Sequence, residues 1–252
     1  MKILSFRLRS VFITAFVLLA VTAGVYFMVS LVNEAVSADD RMIPIYNVDK
    51  NTNEVAVTFN CAMSGDIDRI LAILEAYDIR CTFFLLGSWA ENHKDEVKAI
   101  SDAGHEIGNH GYSHKDLPSM SYENILLDIQ QCNTAIRNVT GHSPALLRAP
   151  SGAYDNKTIS AAEELGMTTI QWDVDSVDWK NISVQEILQR VTTKVKSGSI
   201  IQLHSGTENT AEALPQILDY LENSGFFCTT VSGLIYHSDY RININGTQIP
   251  IQ

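Results

Sequence analysis

From residue 54 onward, short apolar runs alternate with longer stretches in which apolar residues recur every three or four positions. The short runs are EVAVTFN (54–60), IRCTFFLL (79–86), HEIGNH (105–110), ALLRA (145–149), TTIQWDV (168–174), SIIQLH (199–204) and FFCTTV (226–231). Their β-branched and aromatic content predicts strands. Between them, Ile67, Ile70, Leu71 and Leu74 share one helical face, and Val97 and Ile100 belong to another. Ile125, Leu126 and Ile129 begin a third, and Ile187, Leu188 and Val191 mark a fourth. Gly104, Gly141, Gly166, Gly198 and Gly225 fall just past helical stretches, where a left-handed cap favours glycine. Strands alternating with helices predict an α/β fold with a parallel sheet. An open doubly wound sheet and a closed (β/α) barrel both satisfy the pattern. No GxGxxG follows the first strand, so a dinucleotide-binding sheet has no support. The tail ININGTQIPI (242–251) reads as a hairpin around Asn245-Gly246 or an added edge strand.

The first forty residues follow a different rule. Lys2, Arg7 and Arg9 precede an uncharged apolar run from Val11 to Val32. As a helix this run is about 33 Å long, enough to cross a bilayer. The basic flank, set against Glu34, Asp39 and Asp40, predicts a single-pass cell-membrane anchor with its N-terminus inside. A signal peptide cut before Asp39 is the competing reading, and would give a secreted protein. In both, the working domain lies outside the cytoplasm. The expected organisation is a cytoplasmic N-terminus (1–10), an anchor (11–32), a linker (33–53), the α/β domain (54–236) and a C-terminal extension (237–252).

Without Lys2, Arg7 and Arg9, 15 basic residues face 29 acidic ones, and no basic patch is present. Nucleic acid and anionic lipid surfaces are poor partners for such a chain. Cys61, Cys81, Cys132 and Cys228 form no CxxC pair. Outside the cytoplasm four cysteines allow two disulfides in three connectivities, although Cys81 and Cys228 sit in strands, where a cysteine reads as a small buried apolar residue.

Chemistry-bearing residues recur at one place in each repeat. Asn60 and Cys61 end the first strand, His110 and His114 follow the third, and Arg148 ends the fourth. Asp175 and Asp178 follow the fifth, and His204 ends the sixth. In a parallel barrel all strand C-termini share one rim, so these groups converge. Two histidines four apart suit a shared metal.

The motifs at that rim read TFNC (58–61), HGYSH (110–114), RAPSG (148–152), DSVDW (175–179) and IIQLHS (200–205). In this order they resemble the polysaccharide deacetylase family, the NodB-homology domain of carbohydrate esterase family 4, from Glu54 to about Ser232. The anchor and the wording HEIGNHGYSH are similar to its sporulation-associated branch. The resemblance implies a distorted (β/α)7 barrel and metal-dependent hydrolysis of N-acetyl groups on a cell-wall or chitin-like glycan. It implies that His110, His114 and the residue at Cys61 hold zinc or another divalent metal. His204 would protonate the leaving amine, with Asp175 supporting its imidazolium. Arg148 would pair with the general base, and Pro150, Asp178 and Trp179 would line the substrate side.

The family's TFDD is TFNC here. A Cys-His-His zinc shell is one expectation, and Cys61→Ala would then abolish metal binding. Asn60 stands at the base position, where an amide has no proton-accepting state near neutral pH. The alternative is therefore a catalytically inactive protein that binds glycan or serves in assembly.

Overall fold

The structure, a computed structural model, describes residues 17, 19–28, 41–63 and 65–251. Half of the expected anchor, 11–32, lies outside them. So do residues 1–10 and the whole 33–40 stretch that opens the expected linker. The described part is a helix, α1 (residues 19–28), whose side chains are exposed. Among the described residues no helix is long and apolar enough to cross a membrane. Residues 43–252 form a separate unit.

That unit is built on β2 (Glu54–Cys61), which is buried along nearly its whole length. Strand alternation sorts its side chains. Val55, Val57, Phe59 and Cys61 join an outer core with Ile67, Ile70 and Leu74 of α2 (Ile67–Ala76). Ala56, Thr58 and Asn60 therefore face the other way, where Ala56 packs with Phe84, Ile170 and Ile200 in an inner core.

β3 (Thr82–Leu85) and β8 (Ile200–His204) pair with β2 on its two edges. β4 (Glu106–Asn109), β5 (Leu146–Leu147) and β6 (Thr168–Thr169) extend one side, and β7 (Val174–Asp175) the other. The order is β6-β5-β4-β3-β2-β8-β7, with every pairing parallel. A short strand, β9 (Phe227–Thr229), pairs with residues 54–56 of β2. Ala56 also pairs with Ile200, so β9 occupies the β3 edge of β2, below β3.

The expected strand over 168–174 divides in two. β6 and β7 are consecutive in sequence yet lie at opposite edges of the sheet, and residues 170–173 cross between them. Ile170 bridges to Ile45 there, while Asp173 turns back to accept from the Ile200 amide at 2.9 Å. The result is an α/β half-barrel of parallel strands.

The tail forms the expected hairpin: β10 (Tyr240–Ile242) runs antiparallel to β11 (Thr247–Pro250). β11 also pairs in parallel with β1 (Asn47–Val48), a segment placed in the linker by its polar sequence.

Candidate functional site

The ends of β2, β5 and β8 bring Asn60, Arg148 and His204 together at the inner mouth of the half-barrel. Arg148 is fully buried, its guanidinium stacked 4.0 Å from the Phe84 ring centroid. Nη1 donates to Thr58 Oγ1 at 2.8 Å and Asn60 Oδ1 at 3.1 Å, and Nη2 donates to the Gln171 carbonyl at 3.1 Å. Nε has no partner. No carboxylate pairs with Arg148 among the described residues, and burial alone pulls its pKa down to about 9. Because arginine only donates, the Asn60 carbonyl oxygen must face it. The amide nitrogen then donates to Gln202 Oε1 at 3.1 Å and lies 3.4 Å from His204 Nε2.

His204 is held by Asp178, not by Asp175 as expected from the motif order. Asp178 Oδ1 lies 2.7 Å from His204 Nδ1, and Oδ2 accepts from the His204 amide at 2.7 Å and from Thr210 Oγ1 at 2.5 Å. Asp175 instead accepts from the Val177 amide at 2.9 Å, stabilising the turn that delivers Asp178. That turn is a 3₁₀ segment, Asp178–Lys180, entered and left through left-handed Val177 and Asn181. It exposes Trp179, 52% accessible, under the Lys180 ammonium 4.9 Å from its ring. Trp172, by contrast, lies half-buried against Arg148. Pro150 is buried at the start of a short 3₁₀ turn containing Ser151, whose φ is 55°.

His110 is buried and His114 exposed, their rings 5.5 Å apart edge to face. His110 Nδ1 donates to the Arg148 carbonyl at 2.8 Å, so Nε2 is its free nitrogen. Desolvation, slightly countered by that hydrogen bond, lowers the His110 pKa to about 3.

Cys61 does not join the histidines. It follows Asn60 directly, so alternation turns it to the helix side, into the outer core. Burial there pushes its thiol up to about 12, against a smaller lowering by the Ser205 hydroxyl. Without a metal, a thiol so raised is protonated at neutral pH. Among the described residues no group of three or more His, Cys, Asp and Glu side chains is placed to hold a metal. The residues present do not fit the implied zinc centre. All four cysteines are free thiols.

Thr58, Gln171, Gln202 and Thr210 complete the polar site without having been singled out in the sequence. Thr58 and Gln202 each stand two residues before a site residue on the same strand face, and that spacing carried the signal.

The family model for polysaccharide deacetylase matches residues 47–170. YlxY, an uncharacterized protein of Bacillus subtilis, is 32% identical over 76% of this chain and 60% of its own length, so the chain spans under two thirds of that relative. A peptidoglycan-N-acetylglucosamine deacetylase of Bacillus cereus is 32% identical over 76% of this chain and 71% of its own. Among solved structures, wild-type BA3943 of Bacillus anthracis, described as a CE4 family pseudoenzyme, superposes with a TM-score of 0.74 at 34% identity, covering 76% of this chain and 68% of that one. A mutant of BA3943 described as having restored enzymatic activity aligns equally well, with a TM-score of 0.74. The five rim motifs, the half-barrel and these relatives agree: the chain belongs to the polysaccharide deacetylase family, carbohydrate esterase family 4.

Proposed function

We propose that this chain binds N-acetylated cell-wall glycan in the mouth of the half-barrel without hydrolysing it. One observation carries the reading. The group at the base position is an amide, with its oxygen taken by Arg148 and its nitrogen by Gln202. It cannot accept a proton from water, and losing a positioned base costs about 10²–10⁴ in rate. The metal position is lost as well, because strand alternation turns Cys61 into the outer core and away from the mouth that holds Asn60. What remains is binding equipment: the His204–Asp178 pair for an acetamide or hydroxyl, and exposed Trp179 as a platform for a sugar face. BA3943 supports the reading as a related chain described as a pseudoenzyme. We place the domain outside the cytoplasm, where such a glycan lies, on the basic–apolar–acidic order of residues 1–40.

The test compares residues 41–252 with the Asn60→Asp/Cys61→Asp double variant for zinc content, acetate release from peptidoglycan and co-sedimentation with it. The wild type is expected to co-sediment, hold no stoichiometric zinc and release no acetate. Stoichiometric zinc with acetate release by the wild type would overturn the proposal, as would failure to co-sediment.

A further inference from the structure

The Asn60 side chain is surrounded by the groups that an amide-hydrolysing site would direct at a substrate. Its carbonyl oxygen accepts from a buried guanidinium at 3.1 Å. Its leaving nitrogen lies 3.4 Å from His204 Nε2, and the far side of that imidazole is anchored on Asp178 at 2.7 Å. The product would be favoured too. A carboxylate at residue 60 would supply the counter-ion that buried Arg148 lacks, and a buried unpaired cation is costly.

We propose that Asn60 is a self-modification site, hydrolysed by its own neighbours to aspartate. This goes beyond the glycan-binding reading, which for an aspartate at 60 rests on the metal position alone, where Cys61 is turned into the outer core. Water from solvent adds to Asn60 Cγ while His204 Nε2 takes its proton. Charge gathers on Oδ1, where Arg148 Nη1 donates. His204 passes the proton to Nδ2, the C–N bond breaks and ammonia leaves. The balance is one amide and one water giving one carboxylate and one ammonium ion, with no redox change. A positioned proton shuttle contributes about 10²–10⁴ in rate, and a donor at the developing oxyanion about 10²–10³. Gln202 fixes the amide orientation and is a positioning residue.

Exposed Asn245, followed by Gly246, provides an internal reference. An Asn-Gly pair deamidates through a backbone imide and yields mixed aspartate and isoaspartate. Asn60 lies in a paired strand, where direct hydrolysis yields aspartate alone. The experiment incubates the folded domain in oxygen-18-labelled water and follows both positions by peptide mass spectrometry, for the wild type and for His204→Gln and Asp178→Asn variants shown to be folded by circular dichroism. Expected results are aspartate at position 60 with one labelled oxygen, no isoaspartate there, and conversion at least ~10²-fold slower in His204→Gln, with Asn245 unchanged in rate. Asp178→Asn should slow residue 60 as well. An amide still intact at 60 after Asn245 has converted would overturn the proposal. So would isoaspartate at 60, or a wild-type rate in His204→Gln.

Discussion

Residue 60 and residue 61 are neighbours with opposite fates, because successive strand side chains face opposite sides. Asn60 enters the polar interior with Arg148, and Cys61 enters the outer core. That alternation was present in the sequence, but the motif comparison treated both positions as members of one rim. The Asp175 expectation failed for a similar reason. Two carboxylates three apart are equivalent in a motif, and only the turn through left-handed Val177 decides which one reaches His204. Asp178→Asn should therefore destabilise the domain by about 2 kcal/mol or more, since it removes the charge from three hydrogen bonds. Asp175→Asn should cost less than half as much; denaturant midpoints compare them, and equal losses would restore the original assignment. Introducing Asp at 60 from the start should stabilise the fold by about 1–3 kcal/mol, by giving Arg148 a charged acceptor. An unchanged midpoint would mean that Arg148 is already compensated.

Among elements, β2 and β8 were legible because an interior parallel strand is a continuous apolar run. The 168–174 run also reads as one strand, yet it splits because its halves pair at opposite edges of the sheet. No local pattern encodes which partner a strand finds. The same limit hid β1, whose two residues pair with β11, 200 residues away, and meet the chain again at Gly198 and Ser199. One close approach tests this region. A Cβ on Gly198 would lie 1.7 Å from the Val48 carbonyl oxygen, at a φ of +79°. Gly198→Ala should cost on the order of 3 kcal/mol, combining left-handed strain with displacement of β1. Thermal unfolding measures it, and a loss below about 1 kcal/mol would show that β1 is dispensable.

For the whole molecule, the buried histidines set the response to acid. Burial lowers His105 to about 4 and His110 to about 3, so both are neutral in the folded chain at pH values where the unfolded chain, near 6.5, has already bound protons. The unfolded state thus binds more protons below pH 6.5, and stability falls as pH drops through 6.5 toward 4 and 3. Asp173, raised by burial to about 6, acts in the opposite sense between its ordinary 3.8 and that value. Urea midpoints at stepped pH should show the decline, and His105→Gln should flatten its upper part. A variant as acid-sensitive as the wild type would assign the effect elsewhere.

The contact between Asn60 and Arg148 also has a genetic reading. Asn and Asp codons differ by a single base, whereas no Cys codon becomes an Asp codon in one step. On the reading proposed above, a lineage can cross back and forth at position 60, with the acidic form favoured by a waiting cation. Position 61 has no such short route, and its thiol is packed into the core on which the sheet depends. The second position, rather than the first, is then the ratchet that keeps the chain from returning to catalysis.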